Sequence, residues 1–302
     1  MSAASGAEGA RTGAPRGPAA TAGTGAPGAA DAAETVGAVA AVGAPVLADG
    51  RTVLVTGASG GIGRGVALRF AAVGAPVVVH YRSDEAGARE TVALIERAGG
   101  AAYAVRGELS DEDGCRDVVR AAAGWAPSPG RPAGLGAVVN NAAVQPVQPL
   151  PGMTAAQWRE VVDTNLTSVF ACTQAAAPLL AAHGGGSVTH VASIEAGYAA
   201  VGHAHYSASK AAVVAHARAA AVEYGGDGVR VNTVSPGLVA RDGIEQAWED
   251  GVRRWCAGAP LGRMGRAGEV GDACVFLASP MASWITGHDL VVDGGMTARS
   301  PW

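Results

Sequence analysis

The chain has 302 residues, 49% hydrophobic and 16% charged, with a formal net charge of −4 at pH 7. That supplies a sizeable core, built from Ala, Val, Leu and Ile because aromatics are only 5%. The absence of any Lys/Arg block argues against a nucleic-acid or membrane-surface stripe, and four widely spaced cysteines argue against a disulfide framework or a zinc site. Residues 1–48 are mostly Ala, Gly, Pro, Thr and Ser and bury too little to offset ordering entropy, so a disordered leader is predicted there. The chain shows no signal-peptide layout and no apolar run of membrane-spanning length, which points to the cytoplasm.

From residue 49 to 302 short Val-rich runs alternate with longer helical stretches. A strand at Val53–Thr56 leads through a Gly-rich turn to a helix near Ile62–Val73. Strands at Pro76–His80 and Ala101–Val105 bracket a helix at Glu85–Ala98. A helix at Glu112–Ala123 and a Pro/Gly-rich loop at Trp125–Gly136 precede a strand at Ala137–Asn140. One long helix is predicted over Ala155–Ala182. A strand at Ser187–Ala192 feeds the helix of Tyr206 and Lys210, which ends near Tyr224. A strand at Val229–Val234, helices near Ile244–Ala257 and Glu269–Leu277, and a strand at Asp289–Val292 complete the chain. Strand–helix alternation with apolar strands means an α/β fold: a doubly wound parallel sheet of about seven strands, Rossmann-type, in a single domain.

Three local patterns carry chemistry. The first strand runs into Thr56-Gly57-Ala58-Ser59-Gly60-Gly61-Ile62-Gly63 at the start of a helix. Glycines there allow a tight turn and close backbone approach to a phosphate, and the helix N-terminus favours the anion. The second strand ends in His80-Tyr81-Arg82. An NAD site usually places an acid here, about 20 residues past the glycines, to hold the ribose 2′-hydroxyl. Arg82 instead suits a 2′-phosphate, which favours NADP(H) over NAD(H). The third pattern is Tyr206-Ser-Ala-Ser-Lys210, whose last residue is the only lysine; every other one of the 22 basic residues is arginine. Residues four apart share a helix face, so the ammonium lies one turn from the phenol and is expected to lower its pKa. A site that keeps its one lysine is expected to need that compact charge, because arginine would change reach and donor geometry.

These residues resemble the short-chain dehydrogenase/reductase family over roughly Arg51 to Gly295. The signatures occur in the family's order: Thr56–Gly63, Asn140-Asn141-Ala142-Ala143, Asn165, Ser193 with Tyr206 and Lys210, Asn232 with Ser235-Pro236-Gly237, and Val292-Asp293-Gly294-Gly295. The resemblance implies a catalytic domain over 49–302 with Asn165, Ser193, Tyr206 and Lys210 as its catalytic set. Tyr206 would be the general acid for carbonyl reduction, or the base for alcohol oxidation. Lys210 would hold the nicotinamide ribose, Ser193 would polarise the substrate oxygen, and Asn165 would hold a water leading to solvent. Cofactor contacts would come from Thr56, Gly57, Ser59, Gly61, Ile62 and Gly63. Glu108, Leu109, Asn141 and Ala142 would add to them, with Tyr206, Lys210, Pro236, Gly237 and Val239 at the nicotinamide end.

Departures from the family pattern are Ala143 for a glycine, Glu108 for an aspartate, and Arg241 for a threonine. Glu195, His203 and Trp248 join Ser193 as candidate substrate contacts, and no metal ligand set is present at ligand spacing. The family's helix pairing implies a homotetramer. The leading expectation is a ketoreductase, and Ala/Gly/Arg bias associates it with secondary-metabolite tailoring such as polyketide reduction. An NAD-dependent sugar or secondary-alcohol dehydrogenase is the alternative. A non-catalytic dinucleotide sensor is another, disfavoured by the complete catalytic set.

Overall fold

The computed structural model describes residues 50–127 and 133–298. Seven strands lie side by side: β1 (Thr52–Val55), β2 (Val77–Tyr81), β3 (Ala102–Arg106), β4 (Leu135–Asn140), β5 (Gly186–Val191), β6 (Val229–Pro236) and β7 (Asp289–Val292). Every neighbouring pair is parallel, in the order β3-β2-β1-β4-β5-β6-β7. The order reverses between β1 and β4. In doubly wound sheets this switch point opens a ligand crevice at the C-terminal strand ends.

The helices are α1 (Gly61–Ala72), α2 (Glu85–Arg97), α3 (Glu112–Gly124), α4 (Ala155–Val162), α5 (Ser168–Ala181), α6 (Ala204–Tyr224), α7 (Ile244–Ala247), α8 (Glu249–Gly258) and α9 (Ala267–Ala278). Alternate residues of β1 enter opposite layers. Val53 and Val55 belong to the core with Phe70 of α1, Ile95 of α2 and Leu277 of α9. Leu54 belongs to the other, with Val119 of α3, Leu180 of α5 and Ala217 of α6. Both faces of the central strands are buried, which is why those strands read as apolar runs and not as alternation. Each fully buried Val, Leu or Phe stabilises the layer by about 1.5–3 kcal/mol.

The chain follows the expected element order, with three local differences. The long helix predicted over Ala155–Ala182 is interrupted by a π-helical turn, Asp163–Thr167. A π turn inserts one residue and is often found at functional sites; here it carries Asn165. The helix predicted over Ile244–Ala257 breaks at Trp248, which has φ −148° and ψ 48°. Its indole packs so closely on Gly251 that even a Cβ there would collide with it. That contact outweighs helix continuity. Finally, β4 starts at Leu135, inside the predicted loop, because Leu135 is fully buried and pairs with Thr52. The predicted leader over 1–48, and residues 128–132 of that loop, lie outside the described residues. Among the described residues no helix is long and apolar enough to cross a membrane.

Candidate active site

The turn between β1 and α1 holds Gly57 at φ 62° and Gly61 at φ 52°, a region open to glycine. Gly63 has to lack a side chain: its Cβ would strike the Gly57 carbonyl and lie 2.6 Å from Asn141 Nδ2. On the outer side, a Cβ on Gly60 or Gly61 would meet nothing within 4 Å. No side chain caps the first turn of α1. A bare backbone, with uncapped N–H groups at the positive end of a helix, fits the pyrophosphate of a dinucleotide. Gly63→Ala is expected to raise the cofactor dissociation constant about tenfold or more, measured by fluorescence titration, because the turn must shift to admit the methyl.

Two side chains brace this turn. Thr56 Oγ1 accepts from the N–H of Asn141 (2.9 Å) and of Ala142 (3.0 Å). The Asn141 amide donates to the carbonyls of Thr56 (2.9 Å) and Gly57 (3.0 Å). The side chain of Asn141 therefore shapes the phosphate turn. His80, which sequence reasoning read only as a strand residue, is a third brace. Its Nδ1 accepts from Gly57 N–H at 3.1 Å, which leaves Nε2 to donate to Gly107 O at 3.2 Å. Burial holds it below its ordinary pKa, with the Gly107 bond opposing, and the neutral ring links β2 to both neighbouring loops.

Other predicted cofactor residues lie around the same crevice. Arg82 is exposed at the end of β2. Glu108 Oε1 accepts from the N–H of Leu109 (2.9 Å) and Ser110 (3.0 Å), so this carboxylate is folded onto its own loop. Ser59 is half-buried, and its carbonyl accepts from Arg64 at 2.7 Å; Ile62 packs against the core. Beyond β6, Val239 bridges to Gly265 through Leu238 O and Ala240 N–H, so the bridge does not use the amide of Val239 itself. Gly237 lies under Trp255; a Cβ there would be 2.6 Å from the indole. The Trp255 N–H is buried and has no hydrogen-bond partner among the described residues. Arg241 is exposed.

The four predicted catalytic residues converge beyond β5. Ser193 follows the strand, and its Oγ accepts from Glu195 N–H at 3.1 Å. Tyr206 sits in the first turn of α6 and is 8% exposed. Lys210, one turn on, is 3% exposed; its Nζ donates to Val191 O at 2.7 Å and lies 5.6 Å from the Tyr206 ring centre. The spacing of Tyr206 and Lys210 thus does what the helix register predicts. Their electrostatics differ from expectation. Burial pushes the Tyr206 phenol up to about 12, against a hydrogen bond with Ser193, and Glu195 adds to the rise. Burial also pulls Lys210 down to about 8. The phenol of the cofactor-free chain is therefore raised, not lowered: desolvation of the phenolate outweighs the hydrogen bond from Ser193.

Asn165 is fully buried. Its Oδ1 accepts from Val144 N–H at 2.8 Å, and its Nδ2 donates to Val144 O (2.9 Å) and Ser209 Oγ (3.2 Å). Both amide hydrogens are committed. Its side chain thereby ties the loop after β4 to α6.

Glu195 and His203 are brought to the site together. His203 Nδ1 lies 3.0 Å from Glu195 Oε2, and the two rings of His203 and Tyr206 meet edge-on at 6.1 Å. Gln145, which sequence reasoning passed over, donates to Glu195 Oε1 at 2.9 Å. Trp248 is half exposed and seated on Gly251. Neither Gln145 nor Ser209 carries a spacing signal, because each meets its partner only through the fold.

The chain has relatives among known proteins. Residues 57–297 match the sequence family described as enoyl-(acyl carrier protein) reductase. The chain is 39% identical to 3β-hydroxysteroid dehydrogenase 1 of Eggerthella lenta over 251 residues, covering 82% of this chain and 94% of that protein. It is 32% identical over 246 residues to the 3-oxoacyl-[acyl-carrier-protein] reductase FabG of Staphylococcus aureus, covering 82% and 98%. Among solved structures, a 7α-hydroxysteroid dehydrogenase complexed with NADH and 7-oxoglycochenodeoxycholic acid superposes with a TM-score of 0.76 at 30% identity, covering 83% and 96%. With a seven-stranded parallel sheet, a glycine turn shaped for a dinucleotide and relatives of this kind, the chain belongs to the short-chain dehydrogenase/reductase family and is an oxidoreductase acting on hydroxyl and keto groups.

Proposed function

We propose that the chain is an NADP(H)-dependent ketoreductase for a small or polycyclic ketone, with Asn165, Ser193, Tyr206 and Lys210 as its catalytic set. The observation that carries this reading is the meeting of a buried Tyr206 phenol with the Ser193 hydroxyl and the buried Lys210 ammonium at one point beyond β5. A bound nicotinamide would supply the hydrogen and electron pair for the carbonyl carbon. Negative charge then builds on the carbonyl oxygen. Ser193 and Tyr206 both offer hydroxyl donors to that atom, and Tyr206 delivers its proton there. Lys210, anchored to Val191 O, keeps a positive charge behind the phenol as the proton leaves. Asn165 holds the β4 loop and α6 in register around it.

The dinucleotide would be held by Thr56, Gly57, Ser59, Gly61, Ile62 and Gly63, by Glu108, Leu109, Asn141 and Ala142, and by Pro236, Gly237 and Val239. Arg82 supports the choice of NADP(H). Arg82→Ala is expected to raise the NADPH Michaelis constant about tenfold or more, the worth of a charge-assisted hydrogen bond, and to leave that for NADH unchanged. Equal constants before and after would favour the second reading, an NAD-dependent secondary-alcohol or sugar dehydrogenase. The NADH-bound neighbour gives that reading its support.

Steroid-acting relatives favour a polycyclic substrate, in keeping with a tailoring role in secondary metabolism such as polyketide reduction. Trp248, exposed at the break between α7 and α8, would form an apolar wall of the substrate site, with Glu195 and His203 at its polar end. We place the enzyme in the cytoplasm as a homotetramer. A ketone and alcohol panel run in both directions with both cofactors tests the activity, and sedimentation tests the assembly.

A further inference from the structure

We propose that Glu195 is a positioning residue that acts through its charge: clamped beside Tyr206, its carboxylate keeps the phenolic proton in place and extends carbonyl reduction to higher pH. This rests on the reading of Tyr206 as proton donor. The carboxylate is held from three directions. Gln145, from the loop after β4, donates to Oε1 at 2.9 Å. His203, just before α6, places Nδ1 3.0 Å from Oε2, and Ser207 of α6 donates to Oε2 at 3.3 Å. The backbone of Glu195 is fixed as well, because its N–H donates to Ser193 Oγ. The side chains of Glu195 and His203 are each 17% exposed. This is a fixed anion within the catalytic cluster, and not a mobile surface carboxylate.

The titratable groups facing the phenol are Lys210 from α6, His203 from the segment before it, and Glu195 from the turn after β5. Ser193 faces it as a neutral hydroxyl. Lys210 and Glu195 oppose each other: the ammonium favours phenolate, and the carboxylate favours phenol. Glu195 contributes to the upward displacement of the phenol, after burial. A fixed unit charge near a phenol, partly screened, displaces its ionisation by about half a unit to two units. Nothing in a purely structural staple requires that charge. Glutamine would fill the same volume and keep an acceptor for Gln145, but would have no field.

The test compares the parent with Glu195→Gln and Glu195→Asp. The pH profile of kcat/KM is measured for ketone reduction and for alcohol oxidation. Phenol ionisation is followed separately by ultraviolet difference spectra of the cofactor-free proteins, each against its Tyr206→Phe counterpart. In Glu195→Gln the basic limb of reduction and the acidic limb of oxidation move together to lower pH by about half a unit to two units. Phenolate absorbance likewise appears at lower pH, while Glu195→Asp stays close to the parent. Unchanged limbs and an unchanged phenol titration in folded Glu195→Gln would reduce Glu195 to a staple and overturn the proposal. Should that variant not fold, Glu195→Ala reads the same midpoints. If no ketone or alcohol is turned over, the reading of Tyr206 as donor fails, and the difference spectra still decide whether Glu195 controls its proton.

Discussion

Tyr206→Phe is expected to lower turnover of ketone reduction by ~10²–10⁴-fold, the usual contribution of a positioned general acid, and to retain cofactor binding. The ring is almost entirely buried in the first turn of α6, and phenylalanine keeps that packing. Only the hydroxyl is lost. That hydroxyl sits on the ring that lies beside the Lys210 ammonium. The glycine turn is braced by Thr56, Asn141 and His80, whose side-chain hydrogen bonds run to the backbone of the turn and its neighbouring loops. Fluorescence titration with NADPH and steady-state kinetics on the same preparation separate the two effects. A parallel loss of cofactor binding would indicate a structural defect. Near-parental turnover would place the proton donor elsewhere.

Lys210→Arg is expected to lose activity by roughly 10²-fold or more, the scale on which removal of one preorganised charge donor is felt. The ammonium is buried and points one donor at Val191 O, and a planar guanidinium needs more room and a different fork. Lys210→Met should be as inactive yet more stable without cofactor, and the pH dependence gives the reason. The folded-state pKa of Lys210 is about 8, below the ordinary 10.5. Between those values the unfolded chain binds the extra proton, so parental stability rises with pH across that window. Below pH 8 both states are protonated, and the cost of burying the charge is present in full. The Met variant should therefore melt above the parent below pH 8, with the gap closing toward pH 10.5. Thermal scans across that range check the sign; a Met variant that melts lower throughout would mean that the Val191 bond outweighs the buried charge. Such a charge is kept for the reaction at the expense of stability.

Much of this was legible in the chain because the relevant signals are local. Val53–Val55 and Val77–Val79 are apolar on both faces and so announce buried parallel strands. The glycines of the first turn announce themselves because two adopt positive φ and a third has no room for a methyl. Tyr206 and Lys210 share a helix face by spacing alone. What stayed hidden depends on contacts far apart in sequence. The π turn at Asp163–Thr167 goes with the pairing of Asn165 to Val144, which no helical periodicity records. His80 looks like any strand residue until β2 is placed between Gly57 and Gly107. Trp248 breaks a predicted helix through a contact with Gly251. The direction of the Tyr206 shift was hidden for the same reason: spacing shows the ammonium, whereas burial and the Glu195 carboxylate emerge only from the packed site.

The most direct test uses reduced cofactor carrying deuterium at its transferable position, together with any ketone from the panel that the protein consumes. Tyr206 is assigned here as the proton donor at the oxygen, with the cofactor supplying the other hydrogen to carbon. Deuterium should therefore appear on the carbinol carbon, one for each cofactor oxidised, with the hydroxyl hydrogen drawn from solvent. Loss of the label to water, or cofactor bound with no ketone or alcohol converted in either direction, would contradict the account.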